Sequence, residues 1–100
     1  MTTDEFRKMA MAMGDVTEAP HHEITSFRTK KRIFATLDSR RNRGCLMLSP
    51  ELQSVYCLMP DGSFVPVDNA WGKSGSTWVD LKTVKKAVLK EAMKAAYERG

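Results

Sequence analysis

Apolar residues near the start of the chain recur at helical spacing. Four of them fall three or four residues apart and would share one face of a helix: Phe6, Met9, Ala10 and Met13. Thr2 or Thr3 can cap this helix, and Glu5 could complete a capping box with Thr2. Gly14 supplies a stop, so the pattern predicts an opening helix.

An extended pattern follows the opening helix. A polar loop is predicted first, and it contains Pro20, His21 and His22. Residues 26–29 and 32–37 are rich in aromatic and β-branched side chains, which predicts the two strands of a hairpin. Because neither Lys30 nor Lys31 favours a positive φ, the turn between these strands is expected to be longer than two residues.

The middle of the chain predicts a strand and a short helix. Residues 38–44 are expected to form a flexible connection, followed by a strand over 45–48. Ser49 and Pro50 are typical of a helix start, and this short helix would end at Pro60.

A turn over 60–63 and a proline-containing strand come next. Residues 64–67 are predicted to be an edge strand, because Pro66 cannot donate a hydrogen bond to a neighbouring strand. A loop over 68–75 then leads into a last strand over 76–81.

The end of the chain predicts a closing helix over 84–97. On a helical wheel, Val84, Val88 and Ala92 lie in the apolar half and are expected to be buried. Three lysines fall together on the opposite side of the wheel: Lys86, Lys90 and Lys94.

These elements predict one α+β domain over residues 1–100. It would contain an antiparallel sheet of about five strands, N-terminal and C-terminal helices packed on one face of the sheet, and one short middle helix. A chain of this length can bury roughly two thirds of its unfolded surface, which is enough for one core. The polar start of the chain does not have the pattern of a secretory signal, and no apolar run approaches a membrane span. A cytoplasmic protein without a membrane partner is therefore expected.

The positive charge of the chain is concentrated in two segments. Residues 28–43 carry seven basic side chains and one acidic side chain, and residues 82–100 carry six and two. Two basic segments favour an anionic partner if the fold brings them to one face; otherwise they are two solvated surfaces that keep the protein soluble.

No catalytic, metal or cofactor constellation emerges from the residue pattern. Cys45 and Cys57 are too far apart in sequence for a redox or zinc pair and are expected to be small buried apolar residues in a reducing compartment. His21 and His22 lack a third ligand at a useful spacing. The segment 72–74 (GKS) does not open a helix, so it is rejected as a phosphate loop. We therefore predict that the protein is not an enzyme and holds no cofactor.

Basic and aromatic side chains are the remaining candidates for function. Lysine and arginine displace the counterions of phosphates, and an aromatic ring can stack on a base. The candidate nucleic-acid-binding residues are Arg28, Lys30, Lys31, Arg32, Arg40, Arg41, Arg43, Trp71, Lys73, Lys86, Lys90 and Lys94. Trp78, inside a predicted strand, is expected to pack in the core. For Trp71, in a glycine-rich loop, core packing and base stacking both stay open.

The order of short segments along the chain resembles the MmcQ/YjbR-like family over nearly its whole length. The segments are Phe6 in the opening helix, 14–16 (GDV), 20–21 (PH), 26–28 (SFR), 33–37 (IFATL), 64–66 (FVP), 71–72 (WG), Gly75 and 78–81 (WVDL). The resemblance implies a curved antiparallel sheet with both terminal helices on one side, similar to the fold of secretion chaperones. It also implies a double-wing arrangement, for which the family is commonly described as DNA-binding. The chain departs from the family pattern in lacking a glycine at Lys30 and Lys31 and in its lysine-rich last helix.

Two functions are consistent with the sequence. The first is weak, salt-dependent and largely sequence-independent binding to DNA or RNA, with the basic loops as wings. The alternative is a protein-interaction or chaperone-like module, in one form a homodimer, that uses an open sheet face or the edge strand 64–67.

Overall fold

Six strands form one antiparallel sheet in the computed structural model of the chain, which describes residues 1–99. The strands are β1 (Thr17–His21), β2 (Ile24–Arg28), β3 (Ile33–Asp38), β4 (Arg43–Met47), β5 (Phe64–Pro66) and β6 (Ser76–Asp80). The helices are α1 (Thr3–Met11), α2 (Pro50–Cys57), α3 (Ala70–Lys73) and α4 (Lys86–Glu98). The strand order across the sheet is β1-β2-β3-β4-β6-β5. The predicted α+β class with an antiparallel sheet is confirmed, and the sheet has six strands instead of about five.

Helix α1 begins at the predicted capping box. The Glu5 backbone N–H donates to Thr2 Oγ1 (3.1 Å), and the Thr2 N–H donates to Glu5 Oε1 (2.9 Å). The helix ends at Met11, earlier than the predicted stop at Gly14. Its buried side chains face the sheet, as the apolar spacing predicted: Phe6, Met9 and Ala10.

The core lies between the helices and one face of the sheet. Cross-strand pairing places Phe27, Ala35 and Leu46 in one row that faces the helices. A register shift beside Phe27 inserts Phe34 into β3, and its ring meets Tyr97 of α4 edge-on at 5.4 Å. Two consecutive β3 side chains therefore reach the same core.

Helix α4 contributes the other half of the core. Its buried side chains are Leu89, Ala92, Met93 and Ala96. Of the three residues predicted to be buried, Val84 and Ala92 are buried, whereas Val88 is only partly buried at the margin of the core. The prediction for Val88 is wrong because the inward face of α4 centres on Leu89, one residue further along the helix. Among the helices of residues 1–99, none is long and apolar enough to cross a membrane.

The predicted loop around Pro20 is instead an edge strand. Residues Thr17–His21 form β1 and pair with β2 along five positions. The two-residue turn between these strands needs the positive φ that His22 adopts (56°). The extended state of β1 therefore comes from its pairing, since apart from Thr17 its side chains, including Pro20, carry little β-propensity.

The predicted flexible connection over 38–44 is shorter than expected, because three of its seven residues belong to the sheet. Asp38 ends β3 and Arg43 begins β4, so only residues 39–42 turn. Asn42 supplies a positive φ (52°), and the Asp38 carboxylate accepts from the Arg41 N–H (3.1 Å). The connection is a turn held in place by this hydrogen bond, which restricts the positions of Arg40 and Arg41.

The remaining connections follow the predicted pattern with two changes. The β2–β3 turn spans residues 29–32 and is longer than two residues, as predicted. Strand β5 is at the edge of the sheet, as Pro66 indicated. Helix α2 is capped by Ser49 but already ends at Cys57, and the predicted loop over 68–75 contains the short helix α3.

The contact between Phe6 and Gly44 positions α1 on the sheet. A Cβ added at Gly44 would lie 2.4 Å from Phe6 Cε2, far inside a normal contact distance. The Phe6 ring is fully buried and lies 6.2 Å from the ring of Phe27. Glycine at position 44 is therefore required for α1 to approach β4 this closely.

We expect Gly44→Ala to lower the free energy of unfolding by about 1–3 kcal/mol, because the added methyl group overpacks a filled core. Phe6→Leu removes ring atoms from the same space, so the double variant should be more stable than the sum of the two single changes predicts. Urea denaturation of the parent, both single variants and the double variant measures this coupling. Additive effects would contradict the contact.

Candidate nucleic-acid interface

The face of the sheet opposite α1 and α4 is covered by neither of these helices, and its central residues range from buried (Cys45) to exposed (Val65). Its central row consists of Ser26, Thr36, Cys45, Trp78 and Val65, which are paired neighbours on successive strands. We call this surface the open face. Because α1 and α4 pack on the other side, this face can meet a partner without any rearrangement of the core.

Trp78 is at the centre of the open face, and an arginine side chain stacks on its ring. The guanidinium carbon of Arg43 lies 3.6 Å from the centre of the Trp78 ring, a cation–π stack. The prediction that Trp78 packs in the core is wrong. Its position in β6 alternates with Thr77 and Val79, which point inward, so Trp78 shares the outward side with Ser76 and Asp80.

Asp38 holds the arginines at this end of the sheet. Its nearly buried carboxylate accepts from Arg41 Nη1 (3.1 Å), and Arg43 Nε lies 3.9 Å away. Burial alone would raise the pKa of Asp38, but the hydrogen bonds from Arg41 and the charges of Arg41 and Arg43 outweigh burial and lower it. Arg43 Nε is buried and lacks a hydrogen-bond partner within residues 1–99.

Two grooves meet at Trp78. The first, the arginine groove, has a volume of about 400 Å³ and is lined by Arg41, Arg43, Gly62, Ser63, Val65, Trp78, Asp80 and Lys82. Its wall has three cations and one carboxylate. A surplus of fixed positive charge in a concave site favours an anionic ligand.

The second, the aromatic groove, has a volume of about 660 Å³. Its floor is the open face itself, formed by Ile33, Thr36, Cys45, Met47 and Trp78. Its far wall consists of Val67, Asn69, Trp71 and Ser76, and its rim carries Arg28 and Arg32. The groove is therefore apolar with two cations at its rim and with no carboxylate among its lining residues.

Trp71 is held over the aromatic groove by the local structure of α3. Its backbone N–H donates to Asn69 Oδ1 (2.9 Å). Gln53 Nε2 donates to the carbonyl oxygens of Gly72 (2.9 Å) and Ser76 (3.0 Å), which ties α3 to β6. A Cβ at Gly72 would lie 1.6 Å from the Val67 oxygen, so the segment needs glycine there. The Trp71 side chain, in contrast, is 71% exposed.

Arg32 lies at the groove rim near a second positive charge, that of Arg99. Burial and the nearby charge of Arg99 lower the pKa of Arg32, although a guanidinium stays protonated at neutral pH. An anion at the rim would relieve this repulsion. Cys45, on the floor of the groove, is uncharged, because burial raises the pKa of its thiol to about 11.

The structure brings some of the predicted basic residues together and separates others. Arg28, Arg32, Arg41 and Arg43 line the two grooves of the open face. Lys30 and Lys31 line a different hollow with Asp15, Tyr97 and Glu98. Arg40 pairs with Glu23 at the β1–β2 turn (3.4 Å), and Lys73 lies in a third hollow beside Asp68. Lys82 joins the arginine groove, although the sequence pattern did not single it out.

The lysines of α4 are not on the open face. Lys86, Lys90 and Lys94 are exposed on the outer side of a helix whose inner side packs on the opposite face of the sheet. Lys86 also lies 3.9 Å from Glu5 of α1. These three lysines therefore form a surface separate from the open face, although Lys82 of the same basic segment lies in the arginine groove, and nucleic-acid contact by the three lysines stays a prediction.

Comparison with known proteins identifies a shared fold. The crystal structure of protein DR2400 from Deinococcus radiodurans, which contains a DUF419 domain, has a TM-score of 0.80 to this chain at 23% identity. The match covers 96% of this chain and 75% of that one. DUF419 is the YjbR/MmcQ-like family. No family model matches the sequence, and no curated protein matches it. The chain therefore has the fold of a DUF419 domain.

We expect Asp38→Asn to lower the free energy of unfolding at pH 7 by about 1–3 kcal/mol, because the charge-assisted hydrogen bonds from Arg41 are weakened. The lowered folded-state pKa means that the stabilisation is present above the unfolded value near 3.9 and disappears as pH falls through the folded value. Urea denaturation at pH 7 and at successively lower pH measures the gap between variant and parent. If the difference in unfolding free energy between variant and parent does not narrow at low pH, the stabilising role of the Asp38 charge is contradicted.

Proposed function

We propose that the chain is a cytoplasmic member of the MmcQ/YjbR-like family that binds nucleic acid as a non-enzymatic accessory protein. The order of short sequence segments and the shared fold with a DUF419 domain support the family. Burial raises the pKa of both thiols, Cys45 and Cys57, which argues against either cysteine as a catalytic nucleophile, since a protonated thiol is a poor nucleophile.

The arrangement of cations on the open face carries the proposal. Five cations line the two grooves: Arg28, Arg32, Arg41, Arg43 and Lys82. The carboxylates beside them are Asp38, which Arg41 and Arg43 neutralise, Asp80, and Asp15, which lines a neighbouring hollow with Arg28. Positive charge that exceeds local negative charge is what releases counterions from phosphates.

The spacing of these cations suits an extended polyanion. Arg28 and Arg32 lie beside the start of β3, whereas Arg43 is paired with its last residue, Asp38, and Arg41 lies in the turn that follows. Six residues of strand span roughly 20 Å at about 3.3 Å each. This distance equals about six phosphate steps along one strand of a duplex. In this arrangement the turns over 29–32 and 39–42 lie at the two ends of one path along β3. Each turn is short and is held by hydrogen bonds.

The alternative is a protein-interaction or chaperone-like module, and a patch on α2 favours it. Val55 on that helix and Leu58 at its C-terminal cap lie three residues apart and are 55% and 82% exposed. Pairing through a sheet edge is disfavoured, because Pro20 in β1 and Pro66 in β5 each remove a backbone donor from an edge strand. A partner of this kind would therefore bind side chains instead of extending the sheet.

Two triple variants with the same charge test the proposal. Arg28, Arg32 and Arg41 become glutamine in the open-face variant, and Lys86, Lys90 and Lys94 become glutamine in the matched control. Each lowers the formal net charge by three, from +4 to +1. We expect the open-face variant to bind labelled DNA and RNA much more weakly than the parent. Its log-affinity should also fall less steeply with log salt, by roughly one unit for each phosphate that the variant no longer neutralises. Fluorescence anisotropy between about 50 and 200 mM salt measures both quantities.

The control variant distinguishes binding through the open face from attraction of nucleic acid to the net positive charge of the protein. Equal weakening in both variants would contradict an interface on the open face, provided that thermal melts show both to be folded. Absence of binding by the parent at low salt, together with a concentration-dependent dimer in sedimentation, would favour the interaction module. Binding that ignores salt would contradict an electrostatic mechanism even if nucleic acid were the partner.

A further inference from the structure

We infer that the aromatic groove is a stacking site for an unpaired base, so that the preferred partner is single-stranded nucleic acid. This inference rests on the proposed function and specifies its substrate class. The groove combines a flat apolar interior with a cationic rim, and the two parts require a ligand that has both a flat apolar body and a negative charge. A nucleobase attached to a phosphate chain meets both requirements.

The rings lining the groove select for an unpaired base. Trp71 forms part of one wall and Trp78 part of the floor, beside the thioether of Met47. In a duplex the faces of the bases are covered by their neighbours, and only the edges are accessible. An aromatic wall can therefore stack only on a base that has left the duplex or was never paired.

The exposed ring and the fixed backbone of Trp71 support a role in binding. Its ring is 71% exposed, so burial of the ring contributes little to the fold. The backbone beneath it is nevertheless fixed by Asn69, by the two hydrogen bonds of Gln53 and by the close approach at Gly72. An exposed ring on a fixed support gives up little conformational entropy when a ligand stacks on it.

The charges around the groove define the path of the strand. Arg28 and Arg32 lie at one end of the groove, and the Arg43–Trp78 stack lies at the other end, where the arginine groove begins. A strand that places one base in the aromatic groove can therefore run with its phosphates toward Arg32 on one side and toward Arg41 on the other. The site would hold on the order of four nucleotides, the lower end of the range for a small single-strand-binding domain.

Three probes and three variants test the inference with the full chain. The probes are a fluorescently labelled ten-nucleotide oligo-thymidine, a labelled blunt-ended, G·C-rich duplex with ten base pairs, and thymidine monophosphate. The variants are Trp71→Ala, Trp71→Phe and, as a matched apolar control outside the groove, Leu58→Ala. Anisotropy reports binding of the labelled probes, and quenching of the two tryptophans reports binding of the monophosphate.

We expect the single strand to bind more tightly than the duplex at each salt concentration. Trp71→Ala should weaken single-strand binding roughly ten-fold or more without changing the salt slope, because stacking involves no counterion release. Trp71→Phe should restore most of the affinity, and Leu58→Ala should bind like the parent.

The outcomes separate this inference from the proposed function. If duplex and single strand bind alike and Trp71→Ala has no effect, the stacking site is wrong while nucleic-acid binding stands. If the monophosphate binds as tightly as the oligonucleotide, the groove is a nucleotide site and the strand assignment is wrong. If neither labelled probe binds at low salt, the proposed function fails and this inference fails with it.

Discussion

The close approach of the Phe6 ring to Gly44 is the contact on which the rest of the structure depends. It sets α1 against the middle of the sheet, beside Phe27, and leaves room for α4 to cover β3 and β4 from the same side. Because both long helices bury their apolar sides on one face, the other face stays in solvent. The residues on that face are consequently free to be polar, cationic or aromatic without any cost to the core.

Local signals in the sequence predicted the elements that depend on local chemistry. The capping box of Thr2 and Glu5, the start of α2 at Ser49, and the edge position of Pro66 all follow from hydrogen bonds or steric limits within a few residues. Strand β1 was missed because its extended state comes from pairing with β2 and not from its own side chains. The turn over 39–42 is predicted to be flexible because part of its order comes from a residue distant in sequence: Ser39 donates to the Glu23 carbonyl oxygen, in addition to the local hydrogen bond to Asp38.

The residue types of the candidate interface were predictable, but their grouping was not. The sequence identifies arginine-rich segments, yet only the sheet register places Arg32 and Arg43 on the same face and α4 with its lysines on the other. Trp78 is predicted to pack in the core because it lies inside a predicted strand. The period-two alternation along β6 was the signal that could have corrected this, since Trp78 shares its parity with Ser76 and Asp80.

The strand order also sets the sequence in which the open face is assembled during folding. Strands β1 to β4 are joined by the short turns 22–23, 29–32 and 39–42, so each new pairing closes a small loop. Strand β6 instead pairs with β4 across the intervening residues 48–75, and closing a longer loop costs more entropy. The hairpins can form within microseconds, before the distant strand docks. We therefore expect Arg43 to take its place before its stacking partner Trp78 docks, so that the centre of the open face is completed last.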